Sequence, residues 1–343
     1  MVDTFGREIN YLRLSVTERC NLRCRYCMPE CGIEKKPHSE ILTEEEMVMA
    51  VSVAAGLGIK KLRITGGEPL IKPNILSICR HMSEIEGIEE VSITTNGLRL
   101  KEYAKDLAAA GVSRVNISLD TLDKEKYAYI TRRGELDGVF DGIEAALAAG
   151  FSKVKLNTVL IGGFNDDEIR PLAMLTRKYP VDVRFIELMP MYDSGDFGAE
   201  AFISCEKVLE ELPELMPEPM PELMSEPLSA SARVGEQSPE RPLASAKEGV
   251  ARLYRLPGAY GRVGLISAMS CDFCAECSRI RLMADGAIKP CLHYDREFMI
   301  KGLDEDGMRE KFVEAIAAKP KWHGWLSYAN RSNAGRNMNM IGG

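Results

Sequence analysis

The sequence contains no run of 18 apolar residues, so no conventional transmembrane helix is expected. Its opening, MVDTFGREIN, lacks the apolar core of a secretory signal, and the expected location is cytoplasmic. Positive charge is in deficit: 44 Lys and Arg against 51 Asp and Glu leave a net charge of −7. That balance argues against nucleic acid or a membrane as a partner, but leaves room for a local basic pocket. Cysteine, by contrast, is plentiful. There are ten, and in a reducing compartment clustered cysteines bind metal or do chemistry more often than they form disulfides. Eight fall into two groups, at 20, 24, 27 and 31 and at 271, 274, 277 and 291. Cys79 and Cys205 stand apart and read as small apolar core residues.

At 343 residues the chain is long enough for one large or two ordinary domains with a substantial core. Up to about residue 190, short β-like runs alternate with amphipathic helical stretches. The expected strands are 11–16, 61–65, 90–95, 114–119, 153–160 and 181–188. Between the first two lies a helix signal at 43–58, with Thr43 as N-cap and Glu46 completing a capping box. Repeated βα units imply an α/β fold with a parallel sheet and helices outside, as six units of an incomplete barrel or as a doubly wound sheet. Both put functional loops at the C-terminal ends of strands. The unusual motifs fall there: CNLRCRYC after the first strand, GGEP after the second, TNG after the third, Ser118–Leu119–Asp120 at the end of the fourth, and Met189 after the sixth.

The pattern breaks near residue 200. Residues 211–227 hold five Glu and five Pro with no Lys or Arg, and a Ser-, Ala- and Pro-rich stretch follows. The expected organisation is 1–200, the βα units carrying the first cysteine group; 201–250, an acidic, Pro-rich flexible insert; and 251–343, a C-terminal domain carrying the second group. Strands are expected at ARLYRL (251–256) and GRVGLIS (261–267).

Cys20-x3-Cys24-x2-Cys27 offers three thiolates in eight residues. A structural zinc site is one reading, with Cys31 as fourth ligand. A 4Fe-4S cluster with one iron left open for a small molecule is the other, and the x3/x2 spacing favours it, because zinc knuckles prefer x2 pairs. Cys274-x2-Cys277-x13-Cys291 repeats the choice, with Cys271 or His293 as the fourth zinc ligand.

C-x3-C-x2-C with Tyr26 before its last cysteine, followed by TGGEP at 65–69, resembles the radical S-adenosylmethionine (SAM) superfamily. The likeness is closer still to the GTP 3′,8-cyclases of molybdenum cofactor biosynthesis (the MoaA family). It runs through LRLSVTERCNLRCRYCMP, LRITGGEPL, ITTNG, NISLD, KVKLN, RFIELM, FCAECSRIRL and the ending MNMIGG. Radical SAM enzymes that modify peptides share the first motif, but not FC-x2-C-x-R-x-R-L or the final Gly-Gly.

The resemblance implies an incomplete (βα)6 TIM-like barrel with a C-terminal α+β extension closing it. It also implies two 4Fe-4S clusters: one on Cys20, Cys24 and Cys27 that binds SAM, and one on Cys274, Cys277 and Cys291 whose open iron takes the guanine of GTP. SAM contacts fall on Tyr26, Gly67, Ser118 and Met189. GTP contacts fall on Arg13, Arg63, Thr94, Lys155, Arg184, Arg279, Ile280 and Arg281, with Arg13, Arg279 and Arg281 as catalytic candidates. Gly342 and Gly343 would reach into the site as a thin tail, although such an ending in general marks a frayed terminus. A flavodoxin- or ferredoxin-like electron donor and a downstream cyclic pyranopterin monophosphate synthase are the implied partners, and a homodimer is compatible. Residue chemistry supports the phosphate assignment. Arg13, Arg63, Lys155 and Arg184 sit inside apolar strand runs, where a cation needs an anion, supplied either by a neighbouring carboxylate or by a triphosphate. Cys31, Cys271 and the long acidic insert depart from the family pattern, and neither cysteine is expected to be a ligand.

Overall fold

Six strands pair in parallel and in chain order: β1 (Tyr11–Ser15), β2 (Lys61–Thr65), β3 (Glu90–Thr95), β4 (Arg114–Ser118), β5 (Lys153–Leu160) and β6 (Val181–Glu187). The structure is a computed structural model and describes residues 1–34, 36–191, 197–218, 247–270, 273–323, 326–328, 330–332 and 335–342. Helices α1 (Glu44–Gly56), α2 (Ile75–Glu84), α3 (Leu100–Ala109), α4 (Lys124–Thr131), α5 (Leu136–Ala148) and α6 (Ile169–Lys178) lie between successive strands. The expected capping box is present on α1: the Thr43 hydroxyl accepts from the Glu46 N–H at 3.2 Å, and the Glu46 carboxylate accepts from the Thr43 N–H at 2.8 Å.

Period-2 alternation sorts the strand residues between two faces. Leu62, Ile64, Val91, Ile93, Val115, Ile117, Val154, Leu156, Val183 and Phe185 are buried in one apolar core. Arg13, Arg63, Thr94, Ser118, Asn157 and Arg184, at the alternate positions, line a cavity on the inner side. Most of the apolar burial therefore lies outside the barrel and the polar side chains lie inside it.

The rest of the chain adds α7 (Glu206–Glu211), β7 (Met216–Pro217), β8 (Lys247–Glu248), β9 (Ala251–Arg255), β10 (Val263–Ile266), β11 (Arg279–Leu282), β12 (Ala287–Lys289), β13 (Phe298–Met299), α8 (Glu305–Ala317) and α9 (Met338–Ile341). These strands extend the same sheet at both edges: β11 pairs in parallel with β1, and β10 in parallel with β6. The strand order is β13-β12-β11-β1-β2-β3-β4-β5-β6-β10-β9-β7, with β8 on β9. Among the described residues no ladder joins the two ends, so the expected closure of the barrel by the C-terminal extension is not made by hydrogen bonds. Residues 201–218, expected to belong to a flexible insert, carry α7 and the edge strand β7. Val208 and Leu212, four apart on one helical face, enter the core there. Residues 219–246 of that insert lie outside the described residues. No helix among the described residues is long and apolar enough to cross a membrane.

Candidate active site

A cavity of about 320 Å³ opens at the C-terminal ends of the barrel strands, and both cysteine triads line it. The first triad occupies the loop after β1. A tight turn, with the Cys27 and Met28 N–H groups both donating to the Cys24 carbonyl at 2.9 and 3.1 Å, brings these thiols onto one wall. Burial, and then the neighbouring Cys27 thiol, push Cys24 far up; burial, and then Cys20, push Cys27 up to about 12. Such thiols give up their protons readily only to a metal or an added cation.

TGGEP has a steric reason. The Gly67 N–H donates to the Thr17 carbonyl at 2.7 Å and the Glu68 N–H to the Arg19 carbonyl at 2.8 Å, zipping this turn onto the segment that leads to Cys20. A Cβ at position 67 would stand 2.1 Å from the Arg19 carbonyl oxygen, so only glycine fits. The Glu68 carboxylate is buried and accepts from the Leu70 N–H, the Thr95 hydroxyl and the Asn96 N–H at 3.0, 2.7 and 2.7 Å. Burial dominates those bonds and holds it at about 7. Across the cavity the Tyr26 hydroxyl donates to Asp120 at 2.7 Å, and burial raises that carboxyl to about 6.

The second triad comes from two places: Cys274 and Cys277 on one short 3-10 turn before β11, and Cys291 just after β12. The buried Lys319 ammonium donates to the carbonyls of Arg279 and Pro290 at 2.7 and 2.8 Å. Burial pushes the Cys277 thiol up, but the Lys319 and Arg279 charges outweigh it and set it at about 7.

Between the triads stands a row of cations. Arg13 is in register with Arg281 on one side and with Arg63 on the other, so three guanidinium groups rise from adjacent strands onto one face. Burial, then the charges of Arg281 and Arg63, hold Arg13 well below its ordinary value. Burial, then Arg279, depresses Arg281 to about 10. The Nε of Arg63 and one Nη of Arg279 are buried without a hydrogen-bond partner, as are the hydroxyls of Thr65 and Thr94. Donors and repelling cations placed together in this way call for a polyanion that accepts from them.

Of the residues expected at the site, the cavity wall carries Arg13, Cys20, Cys24, Tyr26, Cys27, Arg63, Gly67, Thr94, Ser118, Arg184, Met189, Cys274, Cys277, Arg279, Arg281 and Cys291. Lys155 and Ile280 are not on it. Lys155 sits in register with Asp182, whose carboxyl its charge helps to hold down, near the N-terminal end of β5. Ile280 points to the opposite face of β11, into the core. Gly342 reaches the rim. Arg281 donates to the carbonyls of Ile341 and Gly342 at 3.0 and 2.7 Å, and a Cβ at 342 would meet the Thr65 hydroxyl. Gly343 and Cys271 lie outside the described residues. Cys31 is exposed and off the cavity.

Sequence reasoning missed Lys319, His323, Asn157 and Asn339 on the cavity wall. Asn157 and Asn339 lie in KVKLN and MNMIGG without having been singled out; alternation along β5 turns Asn157 inward, and the pairing of β11 with β1 and the return of the tail past Glu18 and Cys27 bring in the segments of the others.

A 4Fe-4S cluster fits each triad on the chemistry of the donor set: three free thiols face one cavity, and Cys31 stands apart from it. Among the described residues, no three His, Cys, Asp or Glu side chains converge on a single-ion site.

Comparison with known proteins agrees with this geometry. The model of the radical SAM superfamily matches residues 14–175, and that of Molybdenum Cofactor Synthesis C matches residues 223–325. A GTP 3′,8-cyclase of Peptoclostridium acidaminophilum is 46% identical over 347 aligned residues, covering 100% of this chain and 98% of its own. Another, of Moorella thermoacetica, is 45% identical over 349, covering 100% of both. Among solved structures, Streptococcus suis SuiB aligns at a TM-score of 0.62 and 14% identity, over 91% of this chain and 66% of that one. The AdoMet-bound anSMEcpe aligns at 0.55 and 15%, over 92% and 82%. These two likenesses carry the fold alone. A parallel barrel with two three-thiol walls around a cationic cleft, joined to full-length identity of this order, places the chain in the GTP 3′,8-cyclase family of the radical SAM superfamily.

Proposed function

We propose that this protein cyclises GTP to (8S)-3′,8-cyclo-7,8-dihydroguanosine 5′-triphosphate, the first step of molybdenum cofactor biosynthesis. The observation that carries the reading is the row Arg281–Arg13–Arg63, with Arg281 buried and the other two half-buried, between two cysteine triads in a protein whose net charge is −7. Cys20, Cys24 and Cys27 would hold the cluster that takes SAM, and Cys274, Cys277 and Cys291 would hold the second, on the side that takes the guanine. When bound, SAM and the first cluster supply a 5′-deoxyadenosyl radical able to take hydrogen from C3′ of the ribose.

The chain's own work is binding, orientation and exclusion of water. Arg13, Arg63 and Arg184 clamp the triphosphate with forked donors, and Thr94 supplies a hydroxyl whose oxygen is otherwise unpartnered. Lys155, behind the wall, adds positive field. Tyr26, Gly67, Ser118 and Met189 form the SAM side, with Glu68 and Asp120 as buried acceptors. Arg279 and Arg281 flank the base, and with Arg13 they are the cations placed to deliver the proton that completes the product. Met189, Met191, Ile266 and Phe273 make the remaining wall apolar, which keeps water from the reacting carbon. Gly342, held through its carbonyl by Arg281, closes the rim. A flavodoxin- or ferredoxin-like donor supplies electrons, a cyclic pyranopterin monophosphate synthase consumes the product, and the reaction runs in the cytoplasm.

The test is anaerobic incubation of reconstituted protein with SAM, GTP and a strong reductant, read by mass for 5′-deoxyadenosine and the cyclised triphosphate. Roughly eight iron and eight sulfide per chain are expected. Zinc in their place overturns the reading. Deoxyadenosine without GTP conversion redirects it to a peptide substrate.

A further inference from the structure

The ten residues before β1 have no part in the function above, yet they carry a buried arginine with an unusually full set of partners. The Asp3 carboxylate accepts from the N–H groups of Phe5 and Arg7, both at 2.9 Å, and from the Arg7 Nε at 2.6 Å. This turn aims the Arg7 guanidinium inward, where its side chain is 6% exposed and that of Asp3 fully buried. One Nη donates to the carbonyls of Cys274 at 2.9 Å and Lys321 at 3.1 Å. The other donates to Pro320 at 2.8 Å and Lys319 at 3.5 Å. A guanidinium has five N–H donors, and this one uses all five.

The carbonyls it gathers belong to two segments far apart in sequence: the Cys274 loop and the stretch just after α8. Lys319, in that second stretch, continues the ties to the carbonyls of Arg279 and Pro290. Arg279 lies two residues past Cys277, and Pro290 is next to Cys291. The Tyr11 N–H adds a bond to the Ser278 carbonyl at 3.2 Å. The backbone beside each of the three thiols is therefore pinned, and Arg7 is the knot in which the pins meet. Cys274 and Cys277 share one turn, the Cys277 N–H donating to the Cys274 carbonyl at 3.2 Å, but Cys291 comes from a separate segment, so second-layer hydrogen bonds must set its place against that turn.

We propose that Arg7, oriented by Asp3, is a positioning residue for the second cysteine triad: it locks the Cys274 loop to the 319–321 segment and so sets the triangle that holds the second 4Fe-4S cluster. This rests on the assignment of Cys274, Cys277 and Cys291 made above. It gives the N-terminal turn a role that involves no substrate contact.

Full-length Arg7→Gln, reconstituted anaerobically with iron and sulfide, tests it. Iron is expected to fall from roughly eight to roughly four per chain. The SAM-responsive paramagnetic signal of the first cluster and uncoupled deoxyadenosine release persist, whereas GTP conversion falls by about 100-fold or more, a loss of the size that follows displacement of a binding wall. Wild-type iron with an unaltered second-cluster signal overturns the proposal. Parallel loss of both clusters also overturns it, since Arg7 would then merely support the fold. Should Arg7→Gln fail to fold, Arg7→Lys keeps the charge against Asp3 but has three donors for five acceptors. It is expected to shift or broaden the second-cluster signal alone, and an unshifted signal refutes the proposal. Wild-type protein with eight iron but no GTP conversion defeats the functional reading and leaves this one standing; wild-type protein with a single cluster defeats this one.

Discussion

Gly342→Ala probes how closely the C-terminal tail meets the cavity. Gly342 has φ +71°, and a Cβ there would stand 2.3 Å from the Thr65 hydroxyl oxygen, 3.5 Å from the Thr65 Cβ and 3.6 Å from the Ser15 Cβ. Thr65 is 1% exposed and β-branched, so it cannot swing clear. A side chain in the left-handed region costs roughly 1–2 kcal/mol. Driving Thr65 off its rotamer adds about 0.5–1.5 kcal/mol. Together, ~2–3 kcal/mol shifts the tail from docked to undocked by about 30- to 150-fold. It also withdraws the Ile341 and Gly342 carbonyls from Arg281. The assay is initial GTP conversion at saturating SAM and reductant, with iron content and uncoupled deoxyadenosine release measured in parallel. Conversion is expected to fall by the stated factor while iron holds. Thr65→Ala removes the clashing oxygen and leaves an ordinary 3.5 Å contact. Relative to Thr65→Ala alone, the double variant should therefore lose only the backbone strain, a deficit of about tenfold. Wild-type conversion by Gly342→Ala, or a double variant no better than the single, refutes the reasoning.

Other outcomes follow from the same geometry. Arg336, two residues before α9, bonds Asp285 at 2.7 Å and grips Glu297 with both ends of its fork. Lys36 and Lys289 stay on those carboxylates, so Arg336→Ala should cost about 3 kcal/mol in denaturant titration, at the low end for a broken buried pair. It should reduce GTP conversion more than SAM cleavage. Gly67→Ala forces the 66–68 turn away from Arg19, and should abolish SAM-dependent deoxyadenosine release and SAM binding by calorimetry. Glu68 is raised by burial from 4.5 to about 7, so folding takes up a proton between those values and stability falls as pH rises through the window. Melting of the metal-free chain from about pH 5 to about pH 8 should show that slope, and Glu68→Gln should flatten it. Deleting Gly342 and Gly343 should abolish cyclisation with iron unchanged; retained product formation would remove the tail from the site.

Much of the fold was legible because its determinants are local. In KLRIT, Leu62 and Ile64 alternate with Arg63 and Thr65, and that period is what β2 shows. Thr43 and Glu46 cap α1 through bonds three residues apart. Sequence reading placed Lys155 at the substrate, but β5 enters the barrel too early for it to reach the wall. Ile280 was carried along between two arginines, although alternation turns it to the core. Residues 211–218 read as linker from composition, yet Met216 and Pro217 pair with β9 because that edge offers a free ladder.

The first triad and the strand period were written in the sequence, since each depends on neighbours a few residues away; that Arg19 leaves room only for glycine at 67 was not, because the two positions meet only through the fold. That Arg13, Arg63 and Arg281 form one row, that Lys319 and Arg7 pin the second triad, and that Gly342 meets Thr65 came only from the tertiary structure. The physical reason is register. The side-chain period along a strand is local, but which strand lies beside it is decided by burial over the whole sheet, and a shift of one residue would turn each arginine to the other face.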